Sequence, residues 1–416
     1  MTRRFLSIVF SVLLATPALA AFDDFFEDRT LRLDYVFAGN NTKQHIYFEQ
    51  AYTTPRWAGR KSRLTEMPLL GNGQLKLKDA ATGELIYVHT FSTLFQEWQA
   101  TEEATKVQKA FETSYNVPFP KQPVEVTVTL TNFHGQVVGE LTHTIDPKDI
   151  LIRHIGENGL PYRYVWAPDS VPDLTRCIDL AIVAEGYTEG EMGKFYDDCQ
   201  RAVDALFAHE PFTSLKDRFN VVAVAPRSLD SGTSVPRQGR WSRTPVGTHY
   251  DTFYSDRYLM TQDIHRLYDV LSCVPFEHII VLVNSSIYGG GGIYNQLLVT
   301  TTDHPTFSQV LVHEFGHSYG GLADEYDYGD NAELMYPADT EPWEPNLTTK
   351  VDFDHKWADM LPDPTGRVGL FEGGGYQSKG VWRPTKDCRM KTNEAELFCP
   401  VCDRAIRRIT DFYTSQ

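Results

Sequence analysis

His313-Glu314-Phe315-Gly316-His317 is the segment whose residue types and spacing carry the plainest chemistry in this chain. On an α-helix, residues four apart stand one turn apart on the same face, so both imidazoles can bind a single cation. Zinc is the ion expected there, and the Glu314 carboxylate projects beside it as a general base for water. Two histidines leave a catalytic zinc short of one protein ligand, with a further position open for water. Asp324 is the first candidate for that ligand and Glu325 the second, because both follow the Gly320-Gly321 turn that ends the helical pattern. The helix itself is expected to start near Asp303 or Thr306 as cap, with Pro305 beside it, and to run through the apolar face of Val310 and Leu311.

The elements that must carry this helix fall into two regions, an α+β arrangement. Residues 21–150 are expected to form an N-terminal antiparallel β-sandwich domain. Val124, Val126, Val128 and Leu130 alternate with polar residues, the period of a half-buried strand, and Val137–Ile145 returns after a His134-Gly135 turn. Further strands are expected at Leu31–Phe37, His45–Gln50 and Leu85–Phe91. Residues 151–175, rich in Pro and Gly, form a linker. Residues 176–416 then alternate strand and helix. The continuous apolar runs Ile178–Val183, Phe219–Ala225 and Ile279–Val283 suit a sheet covered on both faces, with helices over Glu189–Ala208 and Thr261–Leu271 between them. The glycine run Gly289–Gly292 precedes an edge strand expected over Tyr294–Thr300. That edge could pair with an extended peptide, or the glycines could be no more than a hairpin turn.

Composition narrows the function classes. The chain has 416 residues and a formal net charge of −16, which disfavours nucleic acid as a partner because phosphate contacts need clustered Lys and Arg. Arg3 and Arg4, the short apolar run Phe5–Leu14 and Ala18-Leu19-Ala20 read as a removed signal peptide over residues 1–20, cut before Ala21. No other segment is long and apolar enough to span a membrane. Secretion or periplasmic location follows as the expectation. In that setting six cysteines, Cys177, Cys199, Cys273, Cys388, Cys399 and Cys402, are expected to form disulfides. A redox role for Cys399-Pro400-Val401-Cys402 is the weaker reading, and a second zinc on the late cysteines lacks a visible fourth ligand. Acidity allows bound calcium, with no EF-hand loop to support it. His249, His265 and His278 lie in mixed or apolar segments and are read as structural.

The run His313–Tyr326 resembles the zinc signature of the secreted bacterial IgA peptidase family of metallopeptidases. The resemblance extends over Glu185–Thr188, Pro211-Phe212, Phe219–Val221, Ser231–Thr233, Asn284 and Tyr288–Gly292. It continues through Cys388–Met390 and Phe398–Cys402, covering roughly residues 175–405. It implies a metzincin-like α/β zinc peptidase domain behind the sandwich, with Met390 as the apolar floor beneath the metal. It also implies protein or glycoprotein substrates, host immunoglobulin among them. The family's related enzymes place a third ligand six residues after the second histidine. Ala323 stands there, and the two glycines admit one extra residue that brings Asp324 to the metal.

The mechanism expected from these residues is peptide hydrolysis by metal-activated water, with His313, His317 and Asp324 as ligands and Glu314 as base. Tyr376, Arg383 and Arg389 are candidates to stabilise the developing oxyanion. One rival is a gluzincin peptidase whose third ligand is a distant acid, Glu333 or Glu341. The other is an inactive secreted protein that binds protein or glycan through its sandwich. An intact Glu314 argues against the second.

Overall fold

The computed structural model describes residues 22–157, 159–169, 171–329 and 335–414. The leader-like segment 1–20 and Glu333 lie outside those residues.

The N-terminal region runs through α1 (Phe22–Phe25), β1 (Phe26–Gly39), β2 (Gln44–Thr54), β3 (Gly73–Asp79), β4 (Leu85–Phe91) and α2 (Leu94–Gln99). It continues through β5 (Lys109–Pro120), β6 (Val124–Thr131), β7 (Val137–Ile145) and the two-residue β8 (Arg153–His154). Two four-stranded sheets result, ordered β5-β1-β2-β8 and β4-β3-β6-β7. All their pairings are antiparallel except that of β8 with β2. Alternation does the sorting. Val124, Val126 and Val128 of β6 and Leu75 and Leu77 of β3 are buried, while the residues between them are partly exposed. Those inner faces meet Leu33, Tyr35 and Phe37 of β1 in a single core, in which Phe91 stacks on Tyr115 at 4.1 Å between ring centroids. The strands expected from periodicity all form. The expectation missed β3, β5 and α2.

The second region comprises β9 (Tyr162–Trp166), β10 (Ile178–Glu185), α3 (Met192–Phe207), α4 (Phe212–Leu215), β11 (Phe219–Val224), α5 (Ile264–Leu271) and β12 (His278–Val283). There follow β13 (Gly290–Ile293), β14 (Leu297–Thr301), α6 (Phe307–Ser318), β15 (Phe371–Gly374), β16 (Gln377–Arg383) and α7 (Pro400–Thr414). Six strands form one sheet in the order β13-β14-β12-β10-β11-β9. The inner four are parallel and the two edges antiparallel. The continuous apolar strands are buried on both faces. Ala181 and Val183 of β10 join the core shared with the sandwich, whereas Ile178, Leu180, Ile182 and Ala184 pack toward α3, α6 and α7. The sheet is therefore the common wall of two cores.

Two expectations are corrected. Residues 151–175 are not only a linker, since they supply β8 and the sheet edge β9. The edge beside the histidines is the glycine run itself, β13, and not Tyr294–Thr300. The chain turns at Tyr294–Gln296, where Asn295 has φ 51°, and β14 returns one position inside. Glycines carry no side-chain alternation, so their strand is silent to periodicity.

Leu282→Ala, in the middle of the doubly covered β12, is expected to cost about 2–5 kcal/mol, read as a fall in the urea unfolding midpoint. A shift below about 1 kcal/mol would show that the helical face of the sheet is not tightly packed.

Candidate active site

Helix α6 carries the two histidines on the face opposite its core residues. Phe307, Leu311 and Phe315 are buried under the sheet, and His313 and His317 reach the cleft half-buried. Thr306 is the N-cap, but its hydroxyl bonds His304 Nδ1 at 2.8 Å rather than an amide of the first turn. Each of the two rings is oriented from behind. His313 Nδ1 lies 2.9 Å from the Arg389 carbonyl and His317 Nδ1 lies 2.6 Å from the Leu322 carbonyl. A carbonyl only accepts, so both Nδ1 atoms carry hydrogen and both Nε2 lone pairs are left facing the cleft.

Those two Nε2 atoms are 3.1 Å apart. Asp324 Oδ1 completes a triangle with them, 3.0 Å from His313 and 3.3 Å from His317. Ligands about 2.0–2.1 Å from a tetrahedral zinc ion stand about 3.3–3.4 Å from one another, so the triangle has the size the ion requires. Asp324 Oδ1 is buried with no hydrogen-bond partner of its own. Its other oxygen, Oδ2, accepts a 2.5 Å hydrogen bond from the Tyr376 hydroxyl. Burial opposes charge on His317, yet Asp324 and Glu314 lift its pKa to about 10. Burial likewise opposes charge on Asp324, and His317 and His313 nevertheless hold it well below the usual carboxylate range. The pocket is built for positive charge, and the donor set fits zinc.

Two close approaches shape the surroundings. A Cβ on Gly316 would lie 2.5 Å from Met390 Sδ, so the helix admits the methionine directly beneath the histidines. Met390 is fully buried there. A Cβ on Gly292 would lie 2.5 Å from the Glu314 carbonyl oxygen and 3.0 Å from His317 Cβ, so only glycine lets β13 lie against α6. Gly321, at φ 59°, turns the chain out of the helix, and the Leu322 amide reaches back to the Gly316 carbonyl at 3.1 Å. Glu314 stands between helix and edge strand. Burial raises its pKa, partly offset by the two histidines.

The cleft over these groups has a volume of about 710 Å³. Its walls include Tyr288, Arg257, Tyr326 and Tyr328, together with Asn72, Ser92 and Glu97 from the N-terminal region. Glu97 accepts a hydrogen bond from Tyr258 and is pushed up to about 7, by burial first. Nothing in the local sequence around α2 marks Glu97 as a cleft residue, because its approach to α6 is purely tertiary.

The model of the family described as IgA Peptidase M64 matches residues 168–366 and 362–410, and that of the Peptidase M64 N-terminus matches residues 21–142. The chain belongs to the IgA peptidase M64 family. Comparison with curated proteins gives no match. The chain is accordingly a peptidase, a hydrolase of peptide bonds in protein substrates, within a metallopeptidase family. No helix among the described residues is long and apolar enough to cross a membrane.

The remaining residues that the sequence put forward for this peptidase fall elsewhere, with one exception. Glu325 turns away from the histidines. Arg389 bonds the Asn393 carbonyl and His209, Arg383 bonds the carbonyls of Glu372 and Gly373, and neither lines the cleft. Tyr376 is the exception, since it lines the cleft and is bonded to Asp324. Glu341 accepts from the Asp352 amide and the Thr349 hydroxyl, away from the cleft. His249 and His265 bond backbone carbonyls, and His278 is buried against Tyr319. All six cysteines are unpaired, so the expected disulfides do not form. Among the described residues, His, Cys, Asp and Glu side chains converge in two groups, neither of which is the all-oxygen set that calcium takes.

Gly292→Ala is expected to cost about 1–3 kcal/mol through overpacking against α6 and to depress peptidase activity through His317. Gly190→Ala, which meets nothing within 4 Å, is the control. Equal thermal melts and equal turnover for the two variants would show that β13 does not bear on the helix.

Proposed function

We propose that this peptidase is a secreted, zinc-dependent endopeptidase in which His313, His317 and Asp324 hold the ion and Glu314 is the general base. The observation that carries the proposal is the convergence of His313 Nε2, His317 Nε2 and Asp324 Oδ1 within 3.0–3.3 Å. What a bound zinc supplies there is Lewis acidity, toward water and toward the scissile carbonyl.

The chain's own groups do the rest. Arg389 and Leu322 carbonyls hold the rings in the tautomer that leaves Nε2 free, and Tyr376 holds Asp324 from behind. Glu314 takes the proton of the attacking water and delivers it to the departing amine nitrogen, returning to carboxylate. Desolvation in the cleft favours that exchange, because a buried carboxylate takes up a proton more readily. The Arg257–Leu259 segment already bonds the outer edge of β13 at Gly290, so an extended substrate pairs with that edge beyond it, at Gly292 beside the histidines. The aromatic wall of Tyr288, Tyr326 and Tyr328 favours bulky or apolar side chains beside the cleaved bond. Protein and glycoprotein chains are the proposed substrates, host immunoglobulin among them on the strength of the family's name. The leader-like residues 1–20 support export to the periplasm or beyond.

Glu314→Gln is expected to keep one equivalent of zinc in this site while lowering turnover of a casein or peptide-library substrate by about 10²–10⁴-fold. Chelation should abolish wild-type activity and added zinc restore it, and full turnover by a metal-free preparation would end the proposal. Tyr376→Phe, which frees Asp324 Oδ2, is expected to weaken zinc affinity or activity about 10–100-fold, measured by competition with a chromophoric chelator. An unchanged affinity would mean that Tyr376 does not orient the carboxylate.

A further inference from the structure

A second group of metal-ligating side chains lies behind the cleft. Cys388, Cys399, Cys402 and Glu325 are all buried, and one ligand atom from each falls within 4.8 Å of the others. Three elements bring them together. Cys399 and Cys402 bracket the start of α7, Cys388 lies two residues before Met390, and Glu325 follows Asp324. The fourth ligand that the cysteine spacing alone does not reveal is thus an acid from the loop after α6.

The distances discriminate between chemistries. Cys388 Sγ and Cys402 Sγ are 3.8 Å apart. A disulfide needs about 2.03–2.05 Å, whereas two sulfurs about 2.3 Å from a tetrahedral zinc stand about 3.8 Å apart. Cys402 Sγ lies 3.2 Å from Glu325 Oε1, near the roughly 3.5 Å expected for a sulfur and an oxygen on the same ion. Backbone amides already point at the sulfurs. Cys399 N–H donates to Cys388 Sγ at 3.2 Å and Cys402 N–H to Cys399 Sγ at 3.4 Å, the arrangement that stabilises thiolates at a helix start. Asn346 Nδ2 donates to Glu325 Oε1 at 3.0 Å and to the Ala323 carbonyl at 2.9 Å, orienting the carboxylate. Glu325 Oε2 is buried without any partner. An odd number of cysteines and an unsatisfied buried carboxylate make little sense as a disulfide or an apolar core.

We propose that Cys388, Cys399, Cys402 and Glu325 bind a second, structural zinc ion in a closed tetrahedral site. Four protein ligands and burial leave no position for water, so the ion does no hydrolysis. Its effect is to lock together three segments that the cleft relies on. The Glu325 amide donates to the Met390 carbonyl at 2.8 Å, so the loop bearing Asp324 and the turn bearing Met390 are held to each other and to α7.

The test is metal analysis of the purified full-length protein beside its H313A/H317A variant, by inductively coupled plasma mass spectrometry. Two zinc ions per chain are expected in the wild type and one in the variant. Cobalt exchanged into the variant should give an intense thiolate-to-metal charge-transfer band in the near ultraviolet. Adding C399S to the variant should lose both ion and band. If that triple variant does not fold, the cobalt spectrum of H313A/H317A decides alone. One ion in the wild type with none in the variant overturns the proposal and leaves the histidine site standing. So does a peptide map showing a disulfide between any two of the three cysteines. One ion in each protein supports the cysteine site and removes the histidine one.

Discussion

Two imidazole nitrogens with bare lone pairs cannot rest 3.1 Å apart unless positive charge lies on or between them. Carbonyl oxygens behind His313 and His317 fix both lone pairs toward the cleft, and Asp324 adds a buried anion to the same point. The arrangement is costly without a cation, whether a proton or a metal ion, and every neighbouring feature serves to keep it in place. Met390 fills the space beneath Gly316, β13 lies against the helix at Gly292, and Tyr376 occupies the second oxygen of the acid.

The parallel sheet explains why a helix can be held that firmly. Its inner strands have no solvent face, so shifting α6 would open one core, and shifting the sandwich would open the other. The N-terminal region is then more than an appendage. It closes the rear of the sheet through the shared core and places Glu97 against Tyr258 at the cleft wall. The walls of the cleft are divided between the two regions, which ties its shape to how they pack.

Much of this was legible in residue order. His313 and His317 were readable because an α-helix converts a spacing of four into one face, and the strands of β6, β7 and β10 because alternation or unbroken apolarity signals burial. Asp324 was readable only as one of two neighbouring acids. What stayed hidden was tertiary. The glycine edge strand has no side chains to show a period, and α2 brings Glu97 to a point more than two hundred residues away in sequence. Cysteine counting pointed to disulfides because spacing does not reveal that Cys402 Sγ stands closer to a carboxylate oxygen of Glu325, at 3.2 Å, than to Cys388 Sγ, at 3.8 Å. The sequence also could not show that Arg383 turns its guanidinium to backbone carbonyls and Arg389 to the Asn393 carbonyl and the His209 ring.

The divergence of Asp324 and Glu325 follows from backbone geometry. The Gly375 amide donates to the Asp324 carbonyl and the Tyr376 amide to the Tyr326 carbonyl, whereas the Glu325 amide turns the other way, to the Met390 carbonyl. Hydrogen bonds that alternate sides residue by residue are those of a strand, in which consecutive side chains point to opposite faces. Asp324 therefore meets the histidines because Glu325 meets the cysteines. A one-residue slip would exchange the faces and deprive both groups at once. Here the Gly320-Gly321 turn sets that register. The same turn that brings Asp324 to the histidines thereby leaves Glu325, the next residue, facing the buried sulfurs.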